Sequence, residues 1–176
     1  MVSTRVDWTA PTPDPVEGVG TGPDRPLLES YLAYQRRTLR NICADLTSEQ
    51  LAARPIPSTN LTLLGLVRHM AKVERIWFRI RIGHEDIPPL FDPELGKDYD
   101  FEHIDPADAK SALETLDEES RLADVAAAKA SFEDTVDWAG GTWSLRMIYV
   151  HVIAEYARHN GHADLIRQAI DGETGR

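Results

Sequence analysis

The sequence predicts an all-α fold, a four-helix bundle, and three observations carry that prediction. Four long segments place apolar residues at helical spacing, no segment alternates convincingly enough for a strand, and proline- and glycine-rich breaks separate the segments. With 176 residues and 42% hydrophobic content the chain supports one buried core, and that length suits one domain better than two. We expect an extended N-terminal arm over residues 1–25 and a single bundle domain over residues 26–176.

The arm holds Pro11, Pro13, Pro15 and Pro23 with Gly18, Gly20 and Gly22. Proline removes backbone donors and glycine raises the cost of ordering, so an extended segment is expected. Trp8 is expected to lie against the body, because an exposed indole leaves a large apolar area in water. The first helix spans about Arg25 to Asp45, with Leu28, Leu32, Leu39, Ile42 and Leu46 inward and Arg36, Arg37 and Arg40 on the wet face. Cys43 lies on its apolar side as a small hydrophobe. Thr47-Ser48-Glu49-Gln50 reads as the capped start of a short turn, and Arg54-Pro55-Ile56-Pro57 forbids continuation.

The second helix is expected to begin at Ser58-Thr59-Asn60, three good N-caps, and to run to about Ile82, where Gly83 stops it. Leu63, Leu64, Val67, Met70, Ala71, Val73, Trp77, Phe78 and Ile80 form its apolar face. Residues 84–104, with Pro88, Pro89, Pro93 and Gly96, read as a long crossover loop. Asp105-Pro106 opens the third helix, which Ala109, Leu113, Leu116, Leu122 and Val125 carry to about Ala130. A short run from Phe132 to Trp138 and a Gly140-Gly141 turn follow. Thr142 or Ser144 caps the fourth helix, and Leu145, Ile148, Val152, Tyr156, Leu165, Ile166 and Ile170 mark its inner side as far as Asp171-Gly172.

Charge narrows the function. With 29 acids against 19 bases the net charge is -10, which argues against a nucleic-acid binder that needs a cationic surface. No run approaches the ~18–20 apolar residues of a membrane span, and the N-terminus has no apolar signal core. A lone cysteine allows neither an internal disulfide nor a cysteine metal cage, so a cytoplasmic setting is expected. From Glu85 to Ser120 thirteen acids face only Lys97 and Lys110, while Arg68, Lys72, Arg75, Arg79 and Arg81 make the second helix basic. We expect the strip to lie partly against those bases in exposed pairs contributing ~0–1 kcal/mol each, outside the reactive centre.

The chemistry concentrates in the fourth helix, which reads HVIAEYARHNGHADLIR. Glu155 and His159 stand four apart, so they face one direction with ~5–6 Å between Cβ atoms, close enough to share a metal ion. His151 lies four residues before Glu155, and spacing alone does not choose between His151/Glu155 and Glu155/His159. His69 on the second helix is the natural third donor. Three protein ligands leave a fourth position open, the mark of a catalytic site. Zinc suits these donors best, and nickel, iron or manganese would also accept them. His162 reads as a catalytic or ligand-bonding neighbour, Arg158 and Arg167 as partners for an anion or for nearby acids, and Asn160 as a pocket residue. Trp77 and Trp143 read as packing.

The segments EYARHNGHADLIR with IDGETG, STNLTLLGLVRHM and VERIWF resemble the DinB-like superfamily, in its DUF664 branch, from Leu27 to Gly175. The resemblance implies a four-helix bundle with a metal between helices, carried by His69, Glu155 and His159. Position 155 is glutamate where the commonest pattern of that superfamily has histidine, and the His, Glu, His set resembles the zinc site of mycothiol-dependent maleylpyruvate isomerase. It further implies a small-molecule enzyme that uses a low-molecular-weight thiol such as mycothiol as cosubstrate, and a homodimer; our own reading of the fourth helix expects Arg158 and Asn160 at the cofactor. The expected function is therefore metal-dependent thiol S-transfer or isomerisation. The residues alone also accommodate a hydrolase using metal-activated water, or a non-enzymatic ligand-binding helical dimer.

Overall fold

The computed structural model describes residues 8–96 and 98–174. Residues 1–7 of the expected arm, Lys97 of the acidic stretch and residues 175–176 at the end of the expected domain lie outside the described residues. Four long helices, α1 (Asp24–Cys43), α3 (Leu63–Glu74), α4 (Ala109–Ala128) and α5 (Leu145–Asp171), accompany a one-turn helix α2 (Ser48–Ala52). The fold is all-α. α5 packs along α1 and also meets α3, which packs against α4. Their shared interior contains Leu32, Leu39, Leu66, Met70, Leu116, Ile148 and Val152. No helix among the described residues is long and apolar enough to cross a membrane.

Local chemistry sets the helix ends. Thr47 and Gln50 form a reciprocal capping box that starts α2, the Thr47 N–H donating to Gln50 Oε1 at 2.9 Å. α3 begins later than Ser58-Thr59-Asn60, because those residues are spent on a turn in which Leu61 N–H donates to Thr59 Oγ1. Thr62 is the cap instead, its buried hydroxyl accepting from Gly65 N–H at 2.8 Å. Beyond Glu74 the helix widens into a π-helical segment, Arg75–Ile82, closed by Gly83 N–H donating to Phe78 C=O at 2.8 Å. Gly83 does end the helix, but not through a left-handed backbone, since its φ is -77°. A Cβ there would meet Arg79 O at 2.8 Å and Phe78 O at 3.2 Å.

The absence of strands expected from sequence is corrected by a small hairpin. β1 (Thr135–Trp138) pairs antiparallel with β2 (Gly141–Ser144), Thr135 opposite Ser144 and Trp138 opposite Gly141. The turn is Ala139-Gly140, one residue earlier than expected, and both have positive φ (50° and 79°), as a two-residue mirror-image turn requires. Four-residue strands are too short to show alternation in the sequence. Ser144 then caps α5 by accepting from Met147 N–H.

The crossover loop is held to α3 by Arg68, which donates to the carbonyls of Tyr99 (3.1 Å) and Glu102 (3.0 Å) around a short turn, Tyr99–Phe101. Asp105 Oδ1 accepts from Ala107 N–H where the chain enters α4 through Pro106–Asp108. In the arm, Trp8 packs against the core and Ala10 is buried, pairing with Leu46 C=O and accepting from Asp45 N–H.

Two charge expectations change. Arg36 is not on the wet face. Its guanidinium grips Glu74, which is 0% exposed, at 2.7 and 2.8 Å, and Tyr156 O–H donates to the same carboxylate at 2.9 Å. The acidic strip does pair with the basic helix, through Lys72–Asp100, Arg79–Glu85, and Arg75 and Arg79 with Glu119. Yet Glu119 and Asp100 are buried, so these are not the exposed pairs of the sequence reading. The π-helical segment brings Arg75 and Arg79, a turn apart, onto one carboxylate.

Candidate metal centre

Helical geometry assembles the centre. Glu155 and His159 share a face of α5, and His69 approaches from α3. Each offers one ligand atom, all lying within 4.8 Å of one another. The imidazoles of His69 and His159 stand 4.6 Å apart at 62°, and Glu155 Oε2 is 3.5 Å from His159 Nε2. All three side chains are half-buried, within reach of solvent but shielded from most of it.

The donors suit a borderline divalent cation. His69 Nδ1 donates to Asp100 Oδ2 at 2.7 Å, so Nε2 is the nitrogen left for a cation. Burial, helped by the neighbouring His69 and against the pull of Glu155, lowers His159 to about 4, so its ring is neutral at neutral pH and has a lone pair to offer a cation. The Nδ1 atoms of His159 and His162 are both buried without a hydrogen-bond partner. Glu155 Oε2 lies nearest His159 Nε2, so Nε2 is the nitrogen turned toward the centre and Nδ1 is its outer nitrogen.

The other expected residues fall in different places. His162 lies beside the centre, its ring 5.4 Å from that of His159. Arg158 is largely exposed and touches Glu155 Oε1 only at 3.5 Å. Asn160 faces away, contrary to its expected place at a cofactor. One residue past His159 is about 100° around the helix, and there its Nδ2 donates to Gln35 O and Oε1 at 3.0 and 2.9 Å, tying α5 to α1. Arg167 follows the nearby-acid reading, pairing with Asp171 and donating to the Ile42 and Ala44 carbonyls at the end of α1. His151 joins a tryptophan cluster, 4.7 Å from Trp77, 5.2 Å from Trp143 and 6.2 Å from Trp138. Trp77 stacks on Trp143 at 5.5 Å, so both tryptophans do pack.

Asp100 was hidden in the acidic stretch. Its flanking Tyr99 and Phe101, aromatic residues in a polar run, are the one signal that it turns inward. Burial pushes its carboxyl up, but the His69 hydrogen bond and Lys72 outweigh burial and hold it below the usual range. Beside Lys72 an apolar cavity of about 380 Å³ opens between α3 and the loop, lined by Ile76, Pro89, Leu90 and Phe91. A larger one, about 590 Å³, lies where the π-helical segment and α4 end, around His84 and Lys129, and includes no residue of the centre.

A family model described as mycothiol-S-transferase matches residues 27–172. No curated protein and no solved structure matches the chain. With a match over most of its length and the DinB-like helical architecture that matching family implies, the chain belongs to the mycothiol-S-transferase family.

Proposed function

We propose that the chain is a metal-dependent thiol S-transferase that joins mycothiol to an electrophilic small molecule. The observation that carries this reading is the convergence of His69, Glu155 and His159, in a chain of this family. These three would hold the cation, zinc first, with nickel, iron or manganese as further candidates. A divalent cation held there would stabilise the thiolate form of a bound thiol at neutral pH.

The chain's own residues supply the rest. Two neutral imidazoles and one carboxylate would leave a divalent cation held there with a net positive charge, favourable to a sulfur anion. His162, beside His159, takes the thiol proton, and the sulfur electron pair forms the new bond to carbon. In a transfer the leaving group departs with its bonding pair, and in an addition the proton returns to the product. The apolar cavity beside Lys72 receives the electrophile's carbon skeleton. Cys43 takes no part, because burial pushes its thiol up to about 12, so the reacting thiol arrives with a cosubstrate. The unit that acts is a bundle domain over residues 26–176 with its arm, cytoplasmic and working as a homodimer.

The test is conjugation of mycothiol to a fluorogenic alkyl halide by zinc-loaded protein. We expect turnover that chelation abolishes and zinc restores, and that His162→Gln slows. A loaded protein that forms no conjugate refutes the transferase reading. Thiol-free turnover of simple esters would assign metal-activated hydrolysis instead.

A further inference from the structure

We propose that Asp100 is a positioning residue for His69, so that filling the metal centre and docking the crossover loop on α3 are coupled. The inference rests on the metal reading above and adds a residue from outside the helices that carry the ligands. Asp100 sits within the Tyr99–Phe101 turn at 1% exposure, and a carboxylate so buried is sustained only by partners. Its two oxygens are divided between the helix's polar groups. Oδ2 accepts from His69 Nδ1 at 2.7 Å, and Oδ1 accepts from Lys72 Nζ at 3.1 Å. An imidazole that donates from Nδ1 has its tautomer and ring plane fixed, with Nε2 left as the ligand nitrogen. Phe101 stacks on the same ring at 4.9 Å and holds its other face.

The loop is shaped for this approach. Phe101 lies so close to α3 that a Cβ on Gly65 would stand 3.2 Å from its ring and 3.1 Å from Thr62 Oγ1. Arg68 holds the carbonyls on either side of the turn. His159 has no comparable support, since its Nδ1 is buried without a partner. The orientation of the centre is therefore asymmetric, with one histidine hydrogen-bonded to a loop carboxylate and the other held by ring contacts with His69 and His162 beside Glu155.

Coupling of this kind is reciprocal. Whatever factor the docked Asp100 adds to metal affinity, bound metal adds to the docking of the turn. Carboxylates bonded to ligand histidines typically change metal affinity by about 10–100-fold when removed. The same factor should appear in the protection of the turn's backbone amides, whose donors include Phe101 N–H to Asp98 C=O and Glu102 N–H to Tyr99 C=O.

The experiment uses full-length wild type, Asp100→Ala and Asp100→Asn, with metal-free circular dichroism and thermal melts as fold controls. Zinc affinity is read by competition with a chelator, the ligand field by cobalt(II) absorption, and the loop by amide exchange of Phe101 and Glu102 with and without zinc. We expect Asp100→Ala to bind zinc 10–100-fold more weakly with a changed cobalt spectrum, and Asp100→Asn, which keeps an acceptor, to lose less. Zinc should slow exchange of both amides in wild type and much less in Asp100→Ala. Affinities within twofold of wild type with an unchanged cobalt spectrum would overturn the inference. So would wild-type amides indifferent to zinc, a readout that stands even where a variant does not fold. Wild type that binds no divalent metal defeats the metal reading itself, whereas wild type that binds zinc beside indifferent Asp100 variants defeats this inference alone.

Discussion

Two polar clusters cross the packing between α3 and α5, and they are finished differently. Around Glu74, Arg36 supplies two short hydrogen bonds and Tyr156 a third, so the carboxylate is both buried and saturated. Around His69, five residues earlier on α3, the donors converge within 4.8 Å, but Arg158 and His159 approach the Glu155 carboxylate only to 3.5 Å. A satisfied network holds helices in register, and an unsatisfied one has capacity to spare for a ligand. Nothing about residue type separates them, since both use a glutamate and a cation-capable partner. Saturation does.

The largest expected effect tests the structural half. Glu74→Ala strips the buried partner from Arg36 and leaves it the exposed Asp124 at 2.8 Å, and removing one side of a buried pair typically costs about 3–5 kcal/mol, whereas Glu155→Ala should leave the metal-free protein within about 1 kcal/mol of wild type. Urea unfolding of both variants after chelation measures this. Equal losses would erase the distinction.

The functional half should respond to metal. Zinc at a hundred times its dissociation constant should stabilise wild type by about 2.7 kcal/mol, seen as a higher unfolding midpoint, and His159→Ala should lose that gain. Glu74→Ala should keep it in whatever fraction folds. Zinc stabilisation that survives His159→Ala would place the ion elsewhere.

Tyr156→Phe removes one of the three hydrogen bonds to Glu74 while Arg36 remains. The expected cost is about 0.5–1.5 kcal/mol with zinc affinity unchanged. A shift in zinc affinity would mean that the two clusters are one network.

The smallest effect concerns Cys43, which belongs to neither cluster. With its folded value about 12, above that of the unfolded thiol, its contribution to stability is present below the unfolded value and fades as pH rises toward 12. At pH 8 a disulfide reagent should label native protein far more slowly than urea-unfolded protein. Rapid native labelling would reopen an internal nucleophile.

The helices were legible because long apolar periodicities repeat many times, as in α5, and because Thr47-Ser48-Glu49-Gln50 carries a local cap. The start of α3 was not, since Ser58, Thr59 and Asn60 before Leu61 and Thr62 after it are all polar candidates, and tertiary contacts select among them. The hairpin escaped because four residues hold too few alternations. Glu155 and His159 could be paired from spacing, a local property, but choosing them over His151 drew on family resemblance. The structure sets His151 among contacts the sequence does not display, three tryptophans from the extension of α3 and the hairpin. Arg36 misled because an arginine on a helix gives no sign of a buried partner 38 residues away. Asp100 misled for the same reason, its inward turn depending on a loop whose course only packing decides.

The central claim is that the unsaturated cluster is a metal site, and elemental analysis of purified protein after zinc reconstitution tests it most directly. Wild type and His151→Ala should each retain about one equivalent of divalent metal, and His69→Ala, Glu155→Ala and His159→Ala should each lose it while remaining helical. Folded wild type holding less than about a tenth of an equivalent, or a His151→Ala protein that alone loses its metal, would contradict it.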